Sequence, residues 1–566
     1  MTFSLADSRR TTGFYVTEAW QRFSRRLALG RISAVRFAGT VPNRLIVAPI
    51  DLRVADPHIA TEIYYGRFPF AGTLLDTEGE SPFQMEAPTP GFFAELHGFG
   101  WLRHMRAANH DLAAANARSL VDDWITSHGR QLNSDSYRPD ILSTRLIAWF
   151  SHSPVVLRGA DHGFYRRFLK SIALQVRFLR HVASGIAPGE ARFRARIALA
   201  MSSLCLPVSS NAIKAAARHL DDEIARQILP DGGHISRNPQ VLLNLLTDLL
   251  PLRQTYVNVG SRLPPRMTPG IDRIFSALKF FRHSNGELSL FNGATTASAN
   301  ALFAVLRYDD SSGVPFREAP HSKFQRLAAG PTVVIADTGP PPPGAMSRIA
   351  FAGCNSFELS SGGSRFIVNA GGPFHVNQLH SDFARMTAAH STVTLNDTSS
   401  LRYSQSGFLG PVVVGGVSRV DIENLDKTDG TVGFAATHDG YADPFDKLHR
   451  REVSLSPDGR ILTGRDRIFR VGGRVIQRDD HDQAVARFHV HPNVAIHQHD
   501  DGTILMTAGD GESWSFSCAD VRPLIEDDVH FADLAGPRAC KQIAIAFQPV
   551  DIAEIRWTFS RVSGRD

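Results

Sequence analysis

Two hydrophobic rhythms divide this chain. From about residue 92 to 285, apolar residues recur at spacings of three and four, the period of a helix buried on one face. The segments 91–108, 111–129, 140–152, 163–183, 191–206, 211–229 and 239–256 all show it, with breakers at Ser136–Pro139, Ala187–Gly189 and Pro230–Gly233. Helices joined by such short loops predict hairpins wound into a toroid or an irregular bundle. From about residue 330 onward the period drops to two. Thr332–Ala336, Gly410–Gly415, Ala484–Val490 and Ser513–Phe516 read as strands, with turns such as Pro457-Asp458-Gly459 and Asp500-Asp501-Gly502 between runs. A large antiparallel region of stacked sheets follows. The passage between the two halves lies near 286–345 and includes the stiff loop Gly339–Gly344.

The first 90 residues fit neither rhythm and predict an N-terminal arm. Residues 15–40 read as a basic amphipathic surface helix, with Trp20, Phe23 and Leu27 apolar and Arg22, Arg25 and Arg26 charged. Arg44–Pro49 reads as a short strand, and the aromatic run Ile63–Phe70 as the part that packs on the main body. The expected organisation is an arm at 1–90, a helical domain at 91–325 and a sheet domain at 326–566, an α+β multidomain protein.

Composition narrows the function classes. The chain has 566 residues and a formal charge of +5, from 61 basic and 56 acidic residues that are interspersed, so nucleic acid is not an expected partner. The four cysteines are far apart and lack CxxC spacing, which predicts neither a disulfide scaffold nor a cysteine zinc site. No apolar run has the length of a membrane span. The first residues lack the apolar core of a signal peptide, so the expected compartment is the cytoplasm, with the periplasm left open. The sequence leaves homodimer formation open.

The densest chemistry lies in Phe366–Ser400, where His375, His380, Arg385 and His390 fall between two strand-like runs. A second cluster is His438, Asp439 and Tyr441 around a turn, followed by His449, Arg450 and Arg451. In the helical half, His234, Arg237 and Asn238 form a polar loop before Pro239, where Asn238 has the type and place of a helix cap. His489 and His491 alternate on one strand face.

The order of several motifs resembles the heparinase II/III-like family. Arg385–Asp397 is similar to its His-Asn/Ser-Thr segment with a following strand and Asp/Asn. Pro230–Pro239 resembles its loop at the end of a helical hairpin, and Leu96–His104 and Asp140–Trp149 are similar to its barrel helices. The likeness runs from about 90 to 550. It implies an incomplete (α/α) toroid followed by an antiparallel β-sandwich, and β-elimination on acidic, uronate-containing polysaccharides or oligosaccharides. Three departures mark a divergent branch. Phe351–Phe357 lacks the family's His-x-Asp pair, and Asn369 stands where an Asp is usual, so of the zinc ligands that some members carry only His390 remains; no zinc and no cofactor are expected. Val241 occupies the position of the family's acid/base Tyr.

Elimination across a uronate needs a carboxylate clamp, a base for the adjacent C–H and an acid for the leaving oxygen. His390 is the candidate base, Arg385 the clamp, and Tyr441 or His438 the acid. His234, Arg237, Asn238, Tyr137, Arg145, His104 and Arg450 are the candidate substrate contacts. Each has a structural alternative: a hydrogen-bonded turn for His390, an ion pair for Arg385, helix packing for Arg145 with Trp149. Two rival functions stay in view. A glycoside hydrolase would need two carboxylates about 5–10 Å apart, from Asp140, Asp231, Asp439 and Asp443. A non-catalytic glycan-binding or assembly protein would have kept the fold after losing the zinc and Tyr positions.

Overall fold

The computed structural model describes residues 11–20, 37, 39–310, 313–373, 378–474, 476–477 and 481–563. Most of the expected basic helix, and His375, lie outside them. Residues 11–20 are helical (α1), and Glu18 reaches across the chain to pair with Arg348 at 2.5 Å. The strand expected at Arg44–Pro49 is absent: this stretch runs unpaired along the helical half, and the Ile46 amide donates to the Cys205 carbonyl. Its apolar residues satisfy packing rather than a ladder. The arm continues through α2 (Pro57–Tyr64) and a hairpin of β1 (Arg67–Phe70) and β2 (Thr73–Asp76).

The toroid is built from α3 (Pro90–Gly98), α4 (Leu102–Ala108), α5 (Asp111–Ser127), α6 (Pro139–Ser151), α7 (Ser153–Val156), α8 (His162–Val182), α9 (Glu190–Cys205), α10 (Ser210–Gln227), α11 (Pro239–Asn258), α12 (Met267–Phe280) and α13 (Ala299–Leu306). Local chemistry starts these helices: Thr89, Asp161, Ser209, Asn238 and Ser298 each accept from a first-turn amide, and α3, α6 and α11 open on proline. Helix α9 is central, packing on α6, α10 and α11, and its face of Phe193, Ile197, Ala200, Met201 and Leu204 is buried.

Two antiparallel sheets form the second half. One runs, edge to edge, β19 (Leu524–His530), β20 (Arg538–Phe547), β15 (Ala484–Val490), β7 (Ser364–Val368), β6 (Phe357–Ser361), β5 (Thr332–Asp337), β4 (Phe324–Ala329) and β3 (Glu318–Ala319), with β8 (Val393–Leu395) also pairing β15. The other runs β11 (Val420–Asn424), β12 (Val432–His438), β13 (Lys447–Leu455), β14 (Ile461–Arg470), β21 (Glu554–Ser563), β18 (Ser513–Cys518), β17 (Ile504–Ala508) and β16 (Val494–Gln498), while β9 (Leu401–Tyr403) and β10 (Val413–Gly416) pair separately. Strict alternation of burial along β13 aims Val453 and Leu455 at Phe357, Phe488, Trp557 and Phe559 in one shared core. Gly464 lets that core close. A Cβ there would come within 2.0 Å of the Trp557 ring on the neighbouring strand.

The two halves meet along a buried polar seam. On the sheet side, Glu358 of β6 accepts from the Leu290 and Asn369 amides and faces His283 at 2.8 Å. Asp231, in the loop before α11, accepts from the His321 and Ser322 amides.

Candidate functional site

His390 follows a single 3-10 turn, Thr387–Ala389, and is buried. Its Nδ1–H donates to the Met386 carbonyl at 2.8 Å, and the ring edge lies against Gly353, where a Cβ would be 2.6 Å from Cδ2. Burial holds the imidazole down to about 4, so it is neutral at pH 7 but enclosed. Arg385 is not presented to a ligand carboxylate. Its guanidinium donates to the carbonyls of Ala350 (3.1 Å), Arg348 (2.7 Å) and Pro411 (3.1 Å), and lies 4.6 Å above the Tyr403 ring.

The His438–Tyr441 pair, expected as the acid, is an internal support. Tyr441 is fully buried and its hydroxyl donates to the Val393 carbonyl at 2.7 Å; burial raises its ionisation above the ordinary phenol value. His438 belongs to a chain of single tautomers. The Gly440 amide donates to His438 Nδ1 at 3.1 Å, His438 Nε2–H donates to His449 Nδ1 at 3.2 Å, and His449 Nε2–H donates to Asp466 at 2.7 Å. Asp466 also takes a two-pronged bond from Arg451 (2.7 and 2.8 Å) and one from Trp557 Nε1 at 2.8 Å. Arg450 points the other way and is held by Glu423 and Glu452.

The candidate substrate contacts are likewise taken up within the protein. His234 donates from Nε2 to Gln227 at 2.8 Å and accepts the Ser236 amide on Nδ1. Arg237 joins the two halves: it donates to the Ser322, Lys323 and Pro340 carbonyls and pairs with Asp337 of β5. Asn238 caps α11, accepting from Gln240 N at 2.8 Å. Tyr137 donates to the Gly129 carbonyl at 2.7 Å. Arg145, wholly buried between Trp124 and Tyr137, donates to Gln175 and to the His97 and Ser136 carbonyls. His104 accepts the Asp56 amide at 2.9 Å and ties down the arm. The four carboxylates considered for a hydrolase are each engaged nearby: Asp140 by Arg138, Asp231 by backbone amides, Asp439 by Ser418 and Arg419, Asp443 by Arg402.

The zinc position is filled by protein hydrogen bonds. Asn369 donates to Glu358 and accepts the Ser391 amide, so both ends of its amide are used. Among the described residues no group of three His, Cys, Asp or Glu side chains is placed to hold a metal ion. The residues present do not fit the family's zinc.

The open polar feature lies elsewhere. A cleft of about 480 Å³ between the arm, the toroid and the sheet half is lined by Arg53, Arg103, Arg194, Gln240, Asn244 and Thr295, with Leu534 from the sheet side. Arg53 pairs with Asp248 (2.5 Å) and Asp51 (3.1 Å), and Arg194 with Glu190 (2.7 Å) and Asp248 (3.1 Å). Among the described residues, Arg103 is held only by the Val54 and Gly100 carbonyls, and Gln240 Oε1 and Thr295 Oγ1 are buried without a partner. None of the residues singled out from sequence lines this cleft. One signal was present: Gln240, Asn244 and Thr247 form a polar stripe at helical spacing on leucine-rich α11.

Two expected results follow from these positions. Asn238→Ala removes a cap and should cost about 1 kcal/mol in urea unfolding without changing ligand binding; a larger loss would mean that Asn238 also anchors the Arg237 loop. The second concerns acid. Unfolded imidazoles titrate near pH 6.5, whereas burial lowers His390 to about 4 and His234 to about 3. Between those values the unfolded chain binds more protons, so stability is complete above about pH 6.5 and falls as pH drops toward about 4. Melting temperatures measured down that range should decline, less steeply for His390→Gln; a flat profile would contradict neutral buried rings.

Comparison with known proteins agrees with this architecture. The family model "Heparinase II/III-like, C-terminal" matches residues 312–558. FtsZ-localized protein C of Caulobacter vibrioides is 30% identical over 536 residues, which cover 92% of this chain and 91% of that one. Among solved structures, a heparinase III superposes with a TM-score of 0.69 at 14% identity, covering 98% of this chain and 92% of that chain. A heparan sulfate lyase HepC mutant from Pedobacter heparinus gives 0.60 at 15% identity, with 98% and 89% covered. On the motifs, the fold and the near full-length relative, the chain belongs to the heparinase II/III-like family.

Proposed function

We propose that this chain is a binding and assembly protein that keeps the polysaccharide lyase scaffold without its elimination chemistry, and that it acts together with FtsZ. The observation that carries this reading is the fate of the elimination set. His390, Arg385, Tyr441 and His438 are all buried and bonded to the protein's own groups. General acid–base catalysis needs those groups within reach of a substrate proton. Val241, buried on α11, stands where the resemblance places the acid/base Tyr. The Caulobacter relative is named for its localisation with FtsZ, and likeness over 91% of its length supports the same association here.

The test has two arms. The purified protein is spun down with FtsZ polymerised by GTP, and separately incubated with heparan sulfate, hyaluronan and alginate while unsaturated uronate is followed by absorbance. The expected result is recovery in the FtsZ pellet and no unsaturated product. Recovery wholly in the supernatant would overturn the association. Unsaturated product, whether or not His390→Ala abolishes it, would overturn the non-catalytic reading.

A second reading, β-elimination on a uronate polymer, is favoured by the cleft. Its Arg103, which no protein carboxylate engages among the described residues, suits a ligand carboxylate, and its amides and hydroxyls suit sugar hydroxyls. In that case Arg103→Ala abolishes product while His390→Ala leaves it.

A further inference from the structure

A separate cavity lies where the end of α8 meets α9 and α10. It has a volume of about 280 Å³ and shares no residue with the cleft between the halves. Arg196, Leu199 and Ser203 face it from α9, at spacings of three and four; Ala212, Ala215, Ala216 and His219 face it from α10 in the same way. Arg180, in the last turn of α8, closes one side.

Its charges differ from those of the neighbouring α9 arginines. On α9, Arg192 is paired with Glu223 at 2.9 Å and Arg194 with Glu190 at 2.7 Å. Arg196, two residues further on, makes no ion pair or hydrogen bond among the described residues, and its Nε is buried without a partner. Among the described residues, neither Arg180 nor His219 has a carboxylate within bonding distance. Burial makes the Arg196 charge costly and Arg192 and Arg226 add to that cost, against partial relief from Glu223 and Asp222. His219 is pushed below its ordinary value by burial and by Arg196, Arg218 and Arg226. A buried guanidinium donor left unsatisfied is unfavourable, and an anion placed there would satisfy it with a charge-assisted bond. The rest of the lining, chiefly Leu199 and three alanines with Ser184 and Ser203, is largely apolar, and the volume admits a ring or short chain.

We infer that this cavity is a binding site for a small organic oxyanion, its carboxylate or phosphate held by Arg196, Arg180 and His219 and its apolar body seated on Leu199 and the α10 alanines. The site is independent of the proposed function and of the cleft. It accounts for two arginines and an imidazole that face one pocket with no carboxylate partner among the described residues.

Calorimetric titration of the full chain with phenyl phosphate and with benzoate at low salt tests it. One saturable site is expected, and Arg196→Gln should weaken it by about tenfold or more. Ala216→Phe, which fills the apolar wall, should abolish it. Tighter binding of phenyl phosphate assigns a phosphate ligand and tighter binding of benzoate a carboxylate; either sustains the site. No saturable binding of either probe overturns it. So does affinity unchanged in Arg196→Gln with native circular dichroism. If that variant does not fold, Arg180→Gln, on an exposed side chain, carries the same test.

Discussion

Replacing Arg451 by methionine should cost the sheet half about 3–5 kcal/mol, the loss expected when one partner of a buried ion pair is removed. Arg451 and Asp466 are both essentially inaccessible, and their two-pronged bond sits inside the sandwich, beneath Phe357, Phe488 and Trp557. Burial alone would raise the Asp466 carboxyl, but Arg451 and His449 hold it well below the ordinary carboxylate range. Without the guanidinium, Asp466 keeps only the His449 and Trp557 donors, and the Asn355 and Ser391 carbonyls lose theirs. Methionine fills similar volume, so the loss reports charge and hydrogen bonding rather than a cavity. The pH dependence has a fixed sign. The depressed Asp466 contributes stability that is present above about pH 4, its unfolded value, and is lost below it. Urea unfolding followed by tryptophan fluorescence measures the effect, since Trp514 and Trp557 lie in this core. A loss below about 1 kcal/mol would mean that water reaches Asp466 and that the network is not dry. Exchanging the whole His449–Asp466–Arg451 group for apolar residues should cost less than the single change.

What the sequence discloses, and what it hides, divides along chain distance. Asn238 and Pro239 read correctly as a helix start because a cap is settled within a few residues. The order of motifs around Pro230–Pro239 and Arg385–Asp397 is enough to place the family. Alternation on β13 sends Arg450 and Arg451 to opposite faces, yet nothing local says which face is buried; Asp466, on the neighbouring β14, decides it. Arg385 has the chemistry of a clamp, but its acceptors come from residues 348–350 and from Pro411. The same holds for His390, whose enclosure depends on Gly353 from a separate segment. Arg53, Arg103 and Arg194 come from the arm, α4 and α9, so no window of sequence brings the cleft into view. Residue type identified groups able to do chemistry, but access to solvent is set by long-range packing, and packing encloses each of the four catalytic candidates.

Arg237→Ala should uncouple the toroid from the sandwich, and this would be the second large effect. Arg237 sits on the toroid side with a left-handed backbone (φ 61), a conformation that costs an ordinary side chain energy and persists only when contacts hold it. The side-chain contacts all come from the other half. The Ser322, Lys323, Gly339 and Pro340 carbonyls and the Asp337 carboxylate accept from the guanidinium, which stacks 4.6 Å from the Phe324 ring. Asp337 is buried as well, and Asn292 Nδ2 and the Gly339 amide are its other donors. Truncation leaves that carboxylate partly unpaired and several carbonyls without a donor, a cost of about 3–5 kcal/mol. The cost falls on the seam rather than on either core. The wild-type chain should therefore unfold with the two halves strongly coupled in scanning calorimetry, and Arg237→Ala should split them into two transitions. Arg237→Lys should restore little, because an ammonium cannot span acceptors arranged for a planar fork. Asp231→Ala, which removes the acceptor for the His321 and Ser322 amides beside the same contact, should act in the same direction with a smaller effect. One undivided transition at the wild-type temperature in Arg237→Ala would show that the His283–Glu358 contact and the apolar surface beside it hold the halves together without this strut.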